Sequence, residues 1–121
     1  MNAPSRGYMK VLIVDDNEQV RLLLREYLPV AANEIYECGD GKEAVSFFKK
    51  HEPDWVLMDW EMPKMNGITA MRQIIAEFPK ANICMVTAFD DEEIRLEALS
   101  AGASGFVLKD NLFELEEILG N

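Results

Sequence analysis

Short apolar runs alternate along this chain with longer stretches whose apolar residues recur every three or four positions. "KVLIVDD" (10–16) predicts a first strand and "NEQVRLLLREYL" (17–28) a first helix. "EIYECG" (34–39) is a more polar strand suited to a sheet edge, and "KEAVSFFKKH" (42–51) is a helix that Pro53 ends. "DWVLMD" (54–59) predicts the third strand, and "GITAMRQIIAEF" (67–78) the third helix, stopped by Pro79. "NICMVTA" (82–88) then gives a fourth strand, and "DEEIRLEALSA" (91–101) a fourth helix closed by Gly102. The series finishes with the strand "GFVLK" (105–109) and the short helix "LFELEEIL" (112–119), with Gly120 as its cap.

Five strands strictly alternating with five helices imply an α/β fold whose parallel sheet is covered on both faces. Right-handed crossovers leave few topologies, and the doubly wound, flavodoxin-like order 2-1-3-4-5 fits five strands. In such a sheet the carboxyl ends of all strands share one rim, and ligands bind where the strand order reverses, between strands 1 and 3. The polar residues fall there. The first strand runs into Asp15-Asp16, the third into Asp59, the fourth into Thr87 and the fifth into Lys109.

Three carboxylates brought together repel, and one takes up a proton unless a cation joins them. Their hard oxygens select Mg²⁺, with Mn²⁺ as a substitute, or Ca²⁺ over softer metals. A lysine at the rim suits a phosphoryl group, and a carboxylate can act as the nucleophile that forms an aspartyl-phosphate. The chemistry expected is therefore metal-assisted phosphorylation of an aspartate. Asp59, which has no adjacent acid, is the natural acceptor, and Asp15 and Asp16 then hold the metal. Each residue also has a plainer role open to it. Asp16 or Asn17 can cap the first helix, Thr87 can be an ordinary strand residue, Lys109 a surface lysine, and Asn66-Gly67 a turn. What favours the chemical reading is that four strands end in mutually useful groups.

Composition narrows the partners. The formal net charge of −10 argues against a nucleic-acid-binding surface and against anionic membranes. No apolar run approaches the length of a membrane span, and the opening "MNAPSRGYMK" lacks the apolar segment of a secretory signal, so a cytoplasmic location is expected. Cys38 and Cys84 fall inside strands and read as reduced core residues. His51 follows two lysines at a helix end, where cations suit the helix dipole, and is given no chemistry.

The motifs "VDD" (14–16), "DWEMPKMNG" (59–67), "VTA" (86–88) and "GFVLK" (105–109), in this order and spacing, resemble the receiver domain of bacterial two-component response regulators. The opening residues 1–9 are expected to form a loose tail, with Met9 as an alternative start. The resemblance covers residues 10–119 and implies a receiver domain over 10–121. It implies that Asp59 accepts a phosphoryl group from the phosphohistidine of a sensor histidine kinase or phosphotransfer protein. It further implies that Asp16, Asp59 and the Glu61 carbonyl coordinate Mg²⁺, with Asp15 acting through metal-bound water. Lys109 and Thr87 would contact the acyl phosphate, and Phe106 would rotate inward with Thr87. The surface of helix 4, strand 5 and helix 5 would then address an output domain, a regulated protein or a second copy of the chain.

Two features depart from the commonest receiver pattern. Asp110 stands where most receivers carry a proline joined by a cis bond; without proline that bond costs about 3 kcal/mol, so a trans link is expected. "GFVLKD" is similar instead to receivers attached to LuxR-type helix-turn-helix output domains, which makes the chain either part of a longer regulator or a stand-alone receiver of that lineage. Phe106 also lacks the hydroxyl of the more frequent tyrosine. Glu61 and Phe89, two residues beyond Asp59 and Thr87, hold positions that tune dephosphorylation in the family. Three rival functions remain: a haloacid-dehalogenase-type enzyme, a flavin-binding protein of the same topology, and a pseudo-receiver that binds partners without phosphorylation.

Overall fold

The computed structural model describes residues 8–120. Each apolar run forms a parallel strand: β1 (Lys10–Val14), β2 (Glu34–Cys38), β3 (Trp55–Asp59), β4 (Ile83–Thr87) and β5 (Gly105–Leu108). They lie in the order β2-β1-β3-β4-β5, with the polar strand β2 at an edge as expected. Between them run α1 (Glu18–Glu26), α2 (Gly41–His51), α3 (Gly67–Glu77) and α4 (Glu92–Ser100), and α5 (Glu114–Gly120) closes the fold.

Strand periodicity divides the core into two layers. Leu12, Val14, Val56, Met58, Ile83 and Met85 point to the face covered by α2, α3 and α4. Val11, Ile13, Leu57, Cys84, Val86 and Val107 point to the opposite face, where Leu24 of α1 and Leu115 and Leu119 of α5 meet them. Both faces are therefore dry, which is why the central strands read as unbroken apolar runs rather than alternating ones. Burying each large side chain contributes about 2 kcal/mol, and this core carries the polar rim above it. Cys38 and Cys84 are free, buried thiols, and burial pushes them up to about 11 and about 12.

Helix starts follow local chemistry. The side chains of Asn17, Asp40, Asn66 and Asp91 each accept a hydrogen bond from a backbone N–H in the first turn of α1, α2, α3 and α4. Asn17 is thus the cap of α1, and its use there leaves Asp16 free of that duty. Gly102 adopts φ +109° just after α4, the left-handed stop expected of it.

The ends of β5 and α5 differ from expectation. The strand stops at Leu108, and Lys109–Asn111 form a 3₁₀ turn before α5 begins at Glu114 rather than Leu112. Asp110 and Asn111 favour local turns over strand continuation. No cis peptide occurs among the described residues, so the Lys109–Asp110 bond is trans. The expected loose tail lies outside the described residues except for Tyr8 and Met9, and these are tied to the start of β2. Tyr8 Oη donates to Glu34, and Met9 exchanges backbone bonds with Asn33 Oδ1 and the Glu34 N–H.

Gly67 opens α3 directly against the end of β3. Its N–H donates to the Trp60 carbonyl at 2.8 Å, and a Cβ on it would lie 1.9 Å from the Asp59 carbonyl oxygen. Only glycine lets the helix approach this closely. Gly67→Ala is expected to destabilise the fold by about 3 kcal/mol, the upper end of overpacking penalties, because the obstacle is backbone. Urea unfolding of the two proteins measures the difference.

Candidate functional site

Parallel register sets the rim. Val14 lies opposite Met58, Asp59 opposite Val86, and Thr87 opposite Leu108, so the residues just beyond β1, β4 and β5 gather around the end of β3. Asp15 continues β1 for one more bond, its N–H donating to the Cys38 carbonyl at 3.1 Å. Its carboxylate is 1% exposed as a residue, against 8% for Asp59, while Asp16 lies open to solvent. The three carboxylates offer oxygens that all lie within 4.8 Å of one another.

Lys109 holds this cluster together. Its Nζ lies 3.0 Å from Asp15 Oδ2 and 3.1 Å from Asp59 Oδ1. Burial works against the ammonium, but hydrogen bonding to Asp15 and the charges of Asp59 and Asp15 outweigh it, and its pKa is raised. Asp59 is raised as well, for a different reason. Burial and the neighbouring Asp15 charge push its carboxyl up to about 6, although Lys109 and a backbone hydrogen bond from Trp60 pull the other way. One ammonium does not neutralise three acids.

The donor set fits a small hard cation. All three side chains present carboxylate oxygens, and Asp15 Oδ2 is buried without a hydrogen bond of good geometry, compensated only by the Lys109 charge among the described residues. Asp15 Oδ1 is already engaged, accepting from the Asn17 N–H at 2.9 Å. A Mg²⁺ here would rest on Asp15, Asp16 and Asp59.

An open cavity of about 450 Å³ stands over the cluster, lined by Asp16, Asp59, Glu61, Ala88, Phe89 and Lys109, among others. Thr87 does not line it. Its side chain is buried, and its Oγ1 accepts from the Phe89 N–H at 3.1 Å, which ties the hydroxyl to the loop after β4. Phe89 is 42% exposed at the cavity mouth. Phe106, paired with Met85 two residues below the rim, packs partly buried against the α4 side of the core and is not brought to the acidic cavity. Sequence reasoning passed over Arg21, whose Nη1 donates to the Asp15 carbonyl at 2.6 Å. Its place one turn into α1 is the only signal the sequence offers.

Comparison with known proteins agrees with this geometry. Residues 11–119 match the family described as the response regulator receiver domain. The uncharacterized transcriptional regulatory protein YhcZ of Bacillus subtilis is 39% identical over 113 residues, which span 92% of this chain but 52% of YhcZ. The chain thus covers about half the length of that relative. A LuxR-family two-component response regulator from Aurantimonas sp. SI85-9A1 superposes with a TM-score of 0.81 at 33% identity, over 89% of this chain and 79% of that one. The structure of a CheX–CheY–BeF3–Mg²⁺ complex from Borrelia burgdorferi contains a chain with a TM-score of 0.74 at 36% identity, over 81% and 75% of the two chains. No helix among the described residues is long and apolar enough to cross a membrane.

The raised Asp59 carboxyl makes the metal-free site a stability cost with a definite sign. An unfolded chain releases this proton near 3.8 and the folded one near 6, so between those values the folded state binds more protons. Stability therefore falls as pH rises from about 4 to about 6 and stays low above that. Metal-free Asp59→Asn is expected to be more stable than wild type at pH 8, by on the order of 2 kcal/mol. The gain should vanish by pH 4, and Mg²⁺ should narrow it at pH 8; denaturant midpoints across pH measure both.

Proposed function

The chain belongs to the response regulator receiver domain family, and from that premise we propose that it is a switch set by phosphorylation of Asp59. The observation that carries this reading is the Lys109 ammonium, 3.0 Å from Asp15 and 3.1 Å from Asp59, at the edge of a cavity that also opens on Asp16. Asp59 is the one acid of the three that is both nearly buried and part of the cavity lining. At neutral pH it is mostly ionised, and its carboxylate can attack phosphorus. The N–P bond of the donor phosphohistidine breaks as the O–P bond to Asp59 forms, and the imidazole leaves with the electron pair and takes up a proton.

Lys109 neutralises the charge that collects on the transferred group, and is already placed to exchange its contact with Asp59 for one with a phosphoryl oxygen. Asp16, Asp59 and the Glu61 carbonyl, with Asp15 through metal-bound water, would hold Mg²⁺. When bound, that ion offsets the mutual repulsion of acids and phosphoryl oxygens and orients the group for in-line transfer. The CheY complex from Borrelia burgdorferi, described with BeF3 and Mg²⁺, supports the same use of this site.

Output follows from the loop after β4. To donate to the phosphoryl group the buried Thr87 hydroxyl, which accepts from the Phe89 N–H, would have to turn toward the cavity, so that loop and α4 would rearrange together, with Phe106 packing inward behind them. The surface of α4, β5 and α5 would then present a changed face to an output domain, a regulated protein or a second copy. Receivers of this family work between histidine kinases and such outputs rather than as turnover enzymes for small molecules.

Intact mass after incubation with Mg²⁺ and acetyl phosphate tests the reading. Wild type should gain one phosphoryl group and Asp59→Asn none. Absence of both that adduct and a stable beryllofluoride complex on wild type would mark a pseudo-receiver and end the proposal. Phe89, half-exposed over the cavity, would shield the acyl phosphate from water. Phe89→Ala is therefore expected to speed dephosphorylation about tenfold, within the range by which water access and positioning alter rates. An unchanged decay rate would remove Phe89 from that role.

A further inference from the structure

We infer that Arg21 is a positioning residue for the acidic site: its guanidinium fixes the turn that carries Asp15 and Asp16, and so sets the affinity of that site for Mg²⁺. The inference rests on the reading of the three aspartates as a Mg²⁺ site. Arg21 lies one turn into α1, with its side chain 18% exposed. Its Nη1 donates to the Asp15 main-chain carbonyl at 2.6 Å, and its Nε donates to Glu37 Oε1 on β2 at 2.7 Å. Glu37 is held in turn from α1 a second time, its Oε2 accepting from Arg25 Nε at 2.6 Å. Burial alone would raise the Glu37 carboxyl, but Arg25 and Arg21 outweigh it, and it stays ionised and below the usual range.

The consequence concerns Asp15. Its N–H is committed to the Cys38 carbonyl, its C=O to Arg21 and its Oδ1 to the Asn17 N–H. Every polar group of the residue except Oδ2 is thus fixed by the surrounding strands and helix. Arg21 supplies the fixing bond that comes from a side chain, and it anchors that bond to a third element, the edge strand. Without it the peptide between Asp15 and Asp16 is free to rotate, and both carboxylates lose their register with Asp59. Lysine is a poor replacement, because the two acceptors are met here by two separate nitrogens of a planar fork, Nε and Nη1, and not by one ammonium placed between them.

The sign of the effect separates this role from a merely electrostatic one. Arg21 is a cation near a cation site, so deleting its charge without loosening the turn would tighten Mg²⁺ binding. Loss of positioning does the reverse, and outer-shell partners of metal ligands are worth about tenfold or more in affinity. The experiment is calorimetric titration of the metal-free chain with MgCl₂, for wild type, Arg21→Ala and Arg21→Lys, with folding followed by circular dichroism. Both variants are expected to bind Mg²⁺ about tenfold more weakly than wild type. Ile74→Val, a mildly destabilising core change in α3, should bind as wild type does. Wild-type affinity in Arg21→Lys overturns the inference, as does tighter binding in Arg21→Ala or an equal loss in Ile74→Val. Should Arg21→Ala fail to fold, Arg21→Lys decides alone. Failure of wild type itself to bind Mg²⁺ overturns the metal-site reading, and is distinguished from the other outcomes by that fact.

Discussion

The contact on which the site depends is the Lys109 ammonium set between Asp15 and Asp59. It is the only compensation for a buried, otherwise unbonded oxygen of Asp15 among the described residues. Two nearly buried carboxylates at the end of a dry sheet would be untenable as a charged pair without it. Yet the compensation is incomplete, since burial and Asp15 still raise the Asp59 carboxyl. That imbalance would give a divalent cation, or a phosphoryl group brought with one, a reason to bind. A rim satisfied by its own side chains would have little to gain from either.

Holding such a cluster requires a scaffold that does not relax around it. Two dry layers of side chains clamp the sheet from both faces, and the register sets the four strand ends level. Gly67 brings α3 hard against the Asp59 carbonyl, so Asp59 cannot retreat along its strand. Asn17 and Arg21 do the corresponding work on the β1 side. The rigidity of the core and the frustration of the rim are two aspects of one arrangement. Stability comes from the apolar layers, and the site uses part of it to keep like charges close.

Much of this was legible in the chain because the physics is local. A strand buried on both faces must be apolar throughout, so the runs ending at Val14, Asp59 and Thr87 marked both the sheet and its functional edge. Asp59 stood out because a lone carboxylate closing such a run demands a partner. Other features were hidden because sequence offers two equivalent solutions. Either Asp16 or Asn17 could have capped α1, and only the structure shows that Asn17 does, leaving the pair of acids to the rim. The end of β5 was misjudged by one residue because no turn residue separates Leu108 from Lys109 in sequence; in space Lys109 opens the 3₁₀ segment, with its ammonium against the acids.

Arg21 was illegible for a deeper reason. One of its partners is a backbone carbonyl, which leaves no residue-type signature, and the other, Glu37, sits on a strand 16 positions away that pairs with β1 only after the crossover is made. Thr87 and Phe106 show the same limit from another side. Their placement at strand positions near the rim was readable, but the hydroxyl is turned to the Phe89 N–H and the ring lies two residues below the acids. Periodicity fixes which face a residue takes and not which of several nearby groups its polar atom chooses. In the proposed switch the Thr87 hydroxyl, now held by the Phe89 N–H, would have to choose differently once a phosphoryl group is near, and that choice would be its physical basis. A sequence that specified one arrangement by a wide margin could not be biased to the other by a single phosphoryl group.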